Sequence, residues 1–124
     1  MNMKKISLEL ARDKDFPNGS REHGYIFVAP LDGDDRIVAE EWKTHRKECL
    51  VTRFWGDEEH ETGHLVRKPG GAWAFHYDIN GDEDDDETGY RFDDERFRPG
   101  EYVSIREHDG ITRTFKVISA DKLR

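Results

Sequence analysis

The chain has 124 residues, 34% of them hydrophobic and 39% charged, and a net charge of −8. That length suits one domain, 1–124, with a single compact core, and its one cysteine, Cys49, excludes an internal disulfide and points to a reducing compartment. No apolar run approaches the roughly 20 residues of a membrane-crossing helix, and Glu9, Arg12 and Asp13 interrupt any signal-peptide core, so the expected location is cytoplasmic.

In chain order, Ile6, Leu8 and Leu10 alternate with Ser7 and Glu9, which predicts a first strand. A turn at Asn18-Gly19 follows. Tyr25 to Ala29 is an apolar run without alternation, expected to be a strand buried on both faces. Asp32-Gly33-Asp34-Asp35 forms a turn into the one good helix, Val38 to Glu48. Val38, Trp42, His45 and Cys49 fall on one helical face there, with Glu40 and Glu41 near its start and Arg46 and Lys47 near its end. Leu50 to Trp55 reads as a strand and Gly56 to Gly63 as a polar loop. His64 to Arg67 is a short strand before the Pro69-Gly70-Gly71 turn. Trp73, Phe75 and Tyr77 alternate with Ala74 and His76, giving a strand with an aromatic face.

Residues 78–95 hold ten acidic groups and one arginine, Arg91. That balance of −9, set against the chain's −8, leaves +1 on the rest. Asp78 to Thr88 is expected to be a solvated acidic loop, and Tyr90 to Phe92 a short edge strand. A near-neutral domain carrying one acidic segment disfavours nucleic acid as a partner, because phosphate binding needs a basic field.

The clearest unit is the hairpin Phe97 to Ser119. Pro99-Gly100 is a turn, and Val103 and Ile105 alternate with Ser104 and Arg106. A two-residue loop at Asp109-Gly110 would pair Val103 with Lys116. A three-residue loop, His108-Asp109-Gly110, pairs Val103 with Phe115 and Glu107 with Ile111, and places Ile111, Phe115 and Val117 on the Val103/Ile105 side. Burial selects the second register, with Gly110 left-handed in a bulge. Seven or eight short strands and one helix predict a mostly β (α+β) fold: a small, partly open antiparallel β-barrel or curved sheet with one amphipathic helix packed on it.

Three patterns invite a chemical reading. His60-Glu61-Thr62-Gly63-His64 matches H-E-x-x-H, in which a helix sets two histidines on zinc with Glu as base. Here glycines and strands surround it, so the helical spacing is not supplied. A different site remains open, in which His60, His64 and His76, with Glu61 or Asp78, converge on a divalent metal such as zinc. Asp78-Ile79-Asn80-Gly81-Asp82-Glu83 opens like a calcium loop. It then departs, with Glu83 where glycine is needed and Gly89 where a bidentate Glu is needed. Cys49, one turn after His45, has the spacing of a nucleophile and its base, but its face is that of Val38 and Trp42, which favours core packing.

Two resemblances appear. Pro99-Gly100-Glu101-Tyr102-Val103 resembles the PGQYV strand opening of flavin-dependent ferredoxin-reductase barrels. In that family a later Arg-x-Tyr-Ser holds the flavin. The run here, Arg113-Thr114-Phe115-Lys116, keeps the Arg and an aromatic but lacks the Ser, and no glycine-rich nucleotide half follows. The wider resemblance rests on Gly24-Tyr25-Ile26-Phe27-Val28-Ala29-Pro30-Leu31, Trp42 with His45-Arg46, Arg53-Phe54-Trp55-Gly56, Trp73-Ala74-Phe75-His76-Tyr77-Asp78 and Pro99-Gly100-Glu101-Tyr102-Val103-Ser104-Ile105. These runs resemble a family of small proteobacterial proteins of unknown function, a likeness that implies no activity. In outline the pattern is also similar to SH3-like and PUA-like barrels.

The expectation is therefore a non-catalytic binding module for a protein or a small ligand, which calls for no cofactor. The aromatics Trp42, Trp55, Trp73, Phe75, Tyr77, Tyr90 and Tyr102 are its candidate surface. The alternatives are the divalent-metal protein above and a nucleic-acid binder using Arg53, Arg67, Lys68, Arg106 and Arg113.

Overall fold

The computed structural model describes residues 3–77 and 86–123, the Tyr90 side chain excepted. Eight strands run in sequence order: β1 (Met3–Leu10), β2 (Ser20–Pro30), β3 (Leu50–Trp55), β4 (Glu61–Arg67), β5 (Trp73–Tyr77), β6 (Glu87–Tyr90), β7 (Tyr102–Arg106) and β8 (Thr112–Lys122). Each pairs antiparallel with the next, and β8 returns to β1, so the barrel is closed. Closure goes beyond the expected partly open sheet and leaves no free edge. The predicted edge strand at Tyr90 to Phe92 is instead the end of β6, hydrogen-bonded on both sides, followed by a turn.

The inward residues follow the period of two. Ile6, Leu8 and Leu10 of β1 are buried, as are Val51 and Arg53 of β3, and Val103 and Ile105 of β7. The Tyr25–Ala29 run is not buried on both faces. Tyr25, Phe27 and Ala29 point inward, while Ile26 and Val28 are only partly covered, because nothing sheathes the outside of a barrel as helices sheathe a parallel sheet. The terminal hairpin has the expected three-residue loop. Val103 pairs with Phe115, Glu107 N–H bonds the Ile111 carbonyl at 3.0 Å, and Gly110 has φ +82°. Ile111 lies at the rim and stays exposed.

The helix is shorter than its pattern. α1 covers Ala39–Thr44, and a 3-10 turn, Arg46–Glu48, follows after a break at His45. The break turns Cys49 into the core, and His45 Nδ1 lies 2.7 Å from Glu48 Oε2 instead of facing inward. Trp42 holds α1 to the barrel: its indole N–H donates to the Leu65 carbonyl at 2.9 Å, and its ring meets Trp73 edge-on at 5.2 Å.

Successive antiparallel strands place the β2–β3, β4–β5 and β6–β7 connections at one end, and β1–β2, β3–β4 and β7–β8 at the other. The first end is closed by aromatic rings. Phe92 and Phe97, in the β6–β7 connection, fold into the barrel and meet edge-on at 5.1 Å; Phe97 also meets Phe27 at 5.6 Å. Gly89 makes this possible, because a Cβ there would lie 2.4 Å from the Phe92 ring. Phe97 N–H donates to the Asp35 carbonyl at 2.9 Å, and Arg98 pairs with the Asp35 carboxylate at 2.6 Å, tying the cover to the β2–β3 connection. Among the described residues no helix is long and apolar enough to cross a membrane.

Candidate functional site at the charged end

At the opposite end the inward positions change character. Arg53 of β3, Glu87 of β6 and Glu107 after β7 are 5%, 0% and 2% exposed. Arg113 of β8 and Tyr77 of β5 complete the group, with Tyr25 beneath them. The same alternation that sends Val51 and Ile105 inward sends these groups inward, since Arg53, Glu107, Arg113 and Tyr77 each sit two residues from an apolar inward neighbour.

The contacts form one connected network. Glu87 Oε1 lies 2.8 Å from the Tyr25 hydroxyl and 2.6 Å from that of Tyr77. Its other oxygen accepts from the His108 backbone N–H at 3.1 Å and lies 3.0 Å from His108 Nδ1. Glu107 takes Arg113 Nη1 on one oxygen at 2.5 Å. On the other it takes the Tyr25 hydroxyl at 2.5 Å and Arg53 Nε at 3.3 Å. Arg53 also reaches Glu61 at 3.4 Å, Glu87 at 3.5 Å and Glu58 at 4.0 Å. Its guanidinium carbon sits 4.3 Å from the centre of the Trp55 ring, and that of Arg113 5.5 Å from it.

The Tyr25 hydroxyl has one proton and faces two carboxyl oxygens. Both oxygens lie within reach of that one proton, so Tyr25 ties the two carboxyl groups together. Burial raises the Glu87 pKa, Tyr77, Arg53 and Tyr25 oppose the rise, and the carboxyl ends above its ordinary range. Burial likewise raises both phenols, aided by the Glu87 charge beside them.

Above the network is a cavity of about 300 Å³, lined by Glu58, Glu59, His60, Glu61, Tyr77 and His108 among others. Two sequence-predicted residues therefore stand at this end, Glu61 and His60. The strand period separates the rest. Glu61 faces inward to Arg53, while His64 faces outward beside its cross-strand partner His76. His76 Nδ1 lies 2.6 Å from Asp86, which also pairs with Lys68 at 2.5 Å. The His60 ring lies 6.4 Å from that of Phe54, tilted at 55° to it. So His64 and His76 are brought together and His60 is not. Among the described residues no three His, Cys, Asp or Glu side chains group to hold a metal ion. Asp78 and most of the calcium-like run lie outside the described residues. At the end of the expected acidic loop, Asp86 is paired and Glu87 is an interior strand residue.

Cys49 is fully buried, and burial pushes its thiol up to about 12, the reverse of nucleophile activation. Trp42, Trp73, Phe75 and Tyr77 are core, and Trp55 is partly buried. Tyr102, 56% exposed, stands on the outer face without those rings around it. An aromatic binding face is thus not what the described residues present. Of the five cations expected to form a nucleic-acid surface, Arg53 and Arg113 point into the barrel.

Sequence reasoning passed over Tyr25, Arg53, Glu87, Glu107 and Arg113 as a group. One signal was present: the chosen hairpin register puts Glu107 and Arg113 on the apolar side with Val103 and Phe115. No family model, no curated protein and no solved structure matches this chain.

Proposed function

We propose that this protein is a non-catalytic binding module that takes a small cationic ligand, an amine or a guanidinium compound, at the charged end of its barrel. The observation that carries the reading is a charge imbalance around the mouth of this end, part buried and part exposed. Five carboxyl groups, Glu58, Glu61, Glu87, Glu107 and Asp109, share two guanidinium groups, Arg53 and Arg113. A low-dielectric wall strengthens such an excess, and a cation entering beside Glu58 and Glu61 offsets it.

The network favours binding over catalysis. Its members are held by one another: Glu107 by Arg53, Arg113 and Tyr25, and Glu87 by two phenols and a backbone N–H. Groups so committed form a rigid floor that preorganises Tyr77 and His108 at the base of the cavity.

The test is titration of isotope-labelled protein with agmatine, which carries a guanidinium and an ammonium on a short chain. Saturable amide shifts in 58–62, 77 and 108, lost in Glu61→Gln, are expected. Shifts reproduced by sodium chloride at equal ionic strength, or saturable binding untouched by Glu61→Gln, would refute the reading.

A further inference from the structure

A second surface, outside the barrel, has the opposite charge. Between the α1/3-10 segment and β4 runs a groove of about 250 Å³ lined by Trp42, Arg46, Lys47, His64, Val66 and Arg67, with Leu65 in its floor. The floor is apolar: Trp42 and Leu65 are buried and Val66 is half-buried. The rim is cationic. Arg46, Lys47 and Arg67 are exposed, and among the described residues no carboxylate pairs with any of them. This contrasts with Arg36, Lys43, Lys68 and Arg98, each held by an aspartate or glutamate. What sets Arg46, Lys47 and Arg67 apart is that all three line one groove.

Both guanidinium groups are also oriented. Arg46 lies 4.7 Å above the Trp42 ring and Arg67 5.0 Å above that of Trp73. Those two rings pack edge-on, and the Trp42 N–H is fixed on the Leu65 carbonyl. A guanidinium held over a ring by its π-face can still offer its N–H fork to an oxyanion in two parallel hydrogen bonds. Less rotamer freedom is lost when the anion arrives.

We propose that this groove binds a small phosphate monoester, its phosphate on Arg46, Lys47 and Arg67 and its organic body over Val66. Charge selects the class. A phosphate monoester carries close to two negative charges at neutral pH and matches three cations better than a single carboxylate does. The apolar floor calls for more than inorganic phosphate, and the volume restricts the ligand to about the size of a mononucleotide or smaller. The site is independent of the cationic-ligand site inside the barrel and shares no lining residue with it.

The experiment is amide-shift titration of the whole protein with AMP, adenosine and inorganic phosphate at constant ionic strength. Saturable shifts confined to 42–47 and 64–67 are expected with AMP, weaker ones with phosphate and none with adenosine. Arg46→Gln and Arg67→Gln should each weaken AMP roughly tenfold, the loss of one charge-assisted contact. Arg106→Gln, on the outer face of β7, should not change it. Thermal unfolding of each variant establishes that it is folded. Equal binding of adenosine, undiminished AMP binding in both arginine variants, or shifts that sodium chloride reproduces would overturn the proposal. Phosphate binding as tightly as AMP would overturn the ester assignment.

Discussion

The two ends of the barrel are filled by the same strand alternation with opposite chemistry. At one end Phe27, Phe92 and Phe97 interlock, and their contribution is apolar area removed from water. At the other, Glu87, Glu107, Arg53, Arg113 and two tyrosines occupy equivalent inward positions. Burying ions costs more than their pairing returns unless every lone pair and proton is answered. The aromatic end is therefore the stabilising half, and the charged end is held at a cost that the proposed cation would relieve.

Substitutions at the two ends should separate these roles. The largest effect is expected from Phe97→Ala, which removes a fully buried ring and leaves a cavity, costing about 4 kcal/mol in denaturant unfolding. Arg53→Met should cost about 3 kcal/mol, because Glu107 is left buried with less countercharge. Adding Glu107→Leu to Arg53→Met should recover part of that loss, because the buried carboxylate then goes with its countercharge. A double variant as weak as the sum of its singles would erase the contrast. Tyr77→Phe should cost about 1–2 kcal/mol, since it removes one donor from a buried carboxyl without opening a cavity.

The smallest effect is one of pH. Glu87 has its folded pKa raised above the ordinary 4.5, so the folded state binds its proton more tightly than the unfolded state. Its stabilisation is complete below pH 4.5 and is lost as pH rises through its folded value. Glu95 is raised as well and acts in the same sense. Glu87→Gln should flatten this fall in unfolding free energy and leave the Glu95 share. An unchanged pH profile in the variant would place the proton elsewhere.

Much of the fold was legible because it rests on local signals. The register of the last hairpin follows from Gly110 and from which pairing buries Phe115 and Val117. The aromatic face of β5 follows from alternation alone. Barrel closure was not legible, since the β1–β8 pairing joins residues at the two ends of the chain and no local pattern encodes it. The helix came out short because the packing of Trp42 and Cys49, not the amphipathic period, sets its end.

The site was hidden by composition. Glu87 reads as the last of a run of acids that looks solvated, and only its strand register with Phe75 brings it inside. Arg53, between Thr52 and Phe54, reads as an ordinary surface arginine until β3 is paired on both sides. His60, Glu61 and His64 drew attention through their spacing, and the period of the strand divides them between two faces.

The most direct measurement is a carbon-detected titration of the Glu87 carboxyl, with and without agmatine. Glu87 is expected to hold its proton above pH 4.5, and the bound cation to move its titration downward. A Glu87 that titrates at or below 4.5, or one that agmatine leaves unmoved, would contradict the claim that this end of the barrel carries an unanswered negative charge.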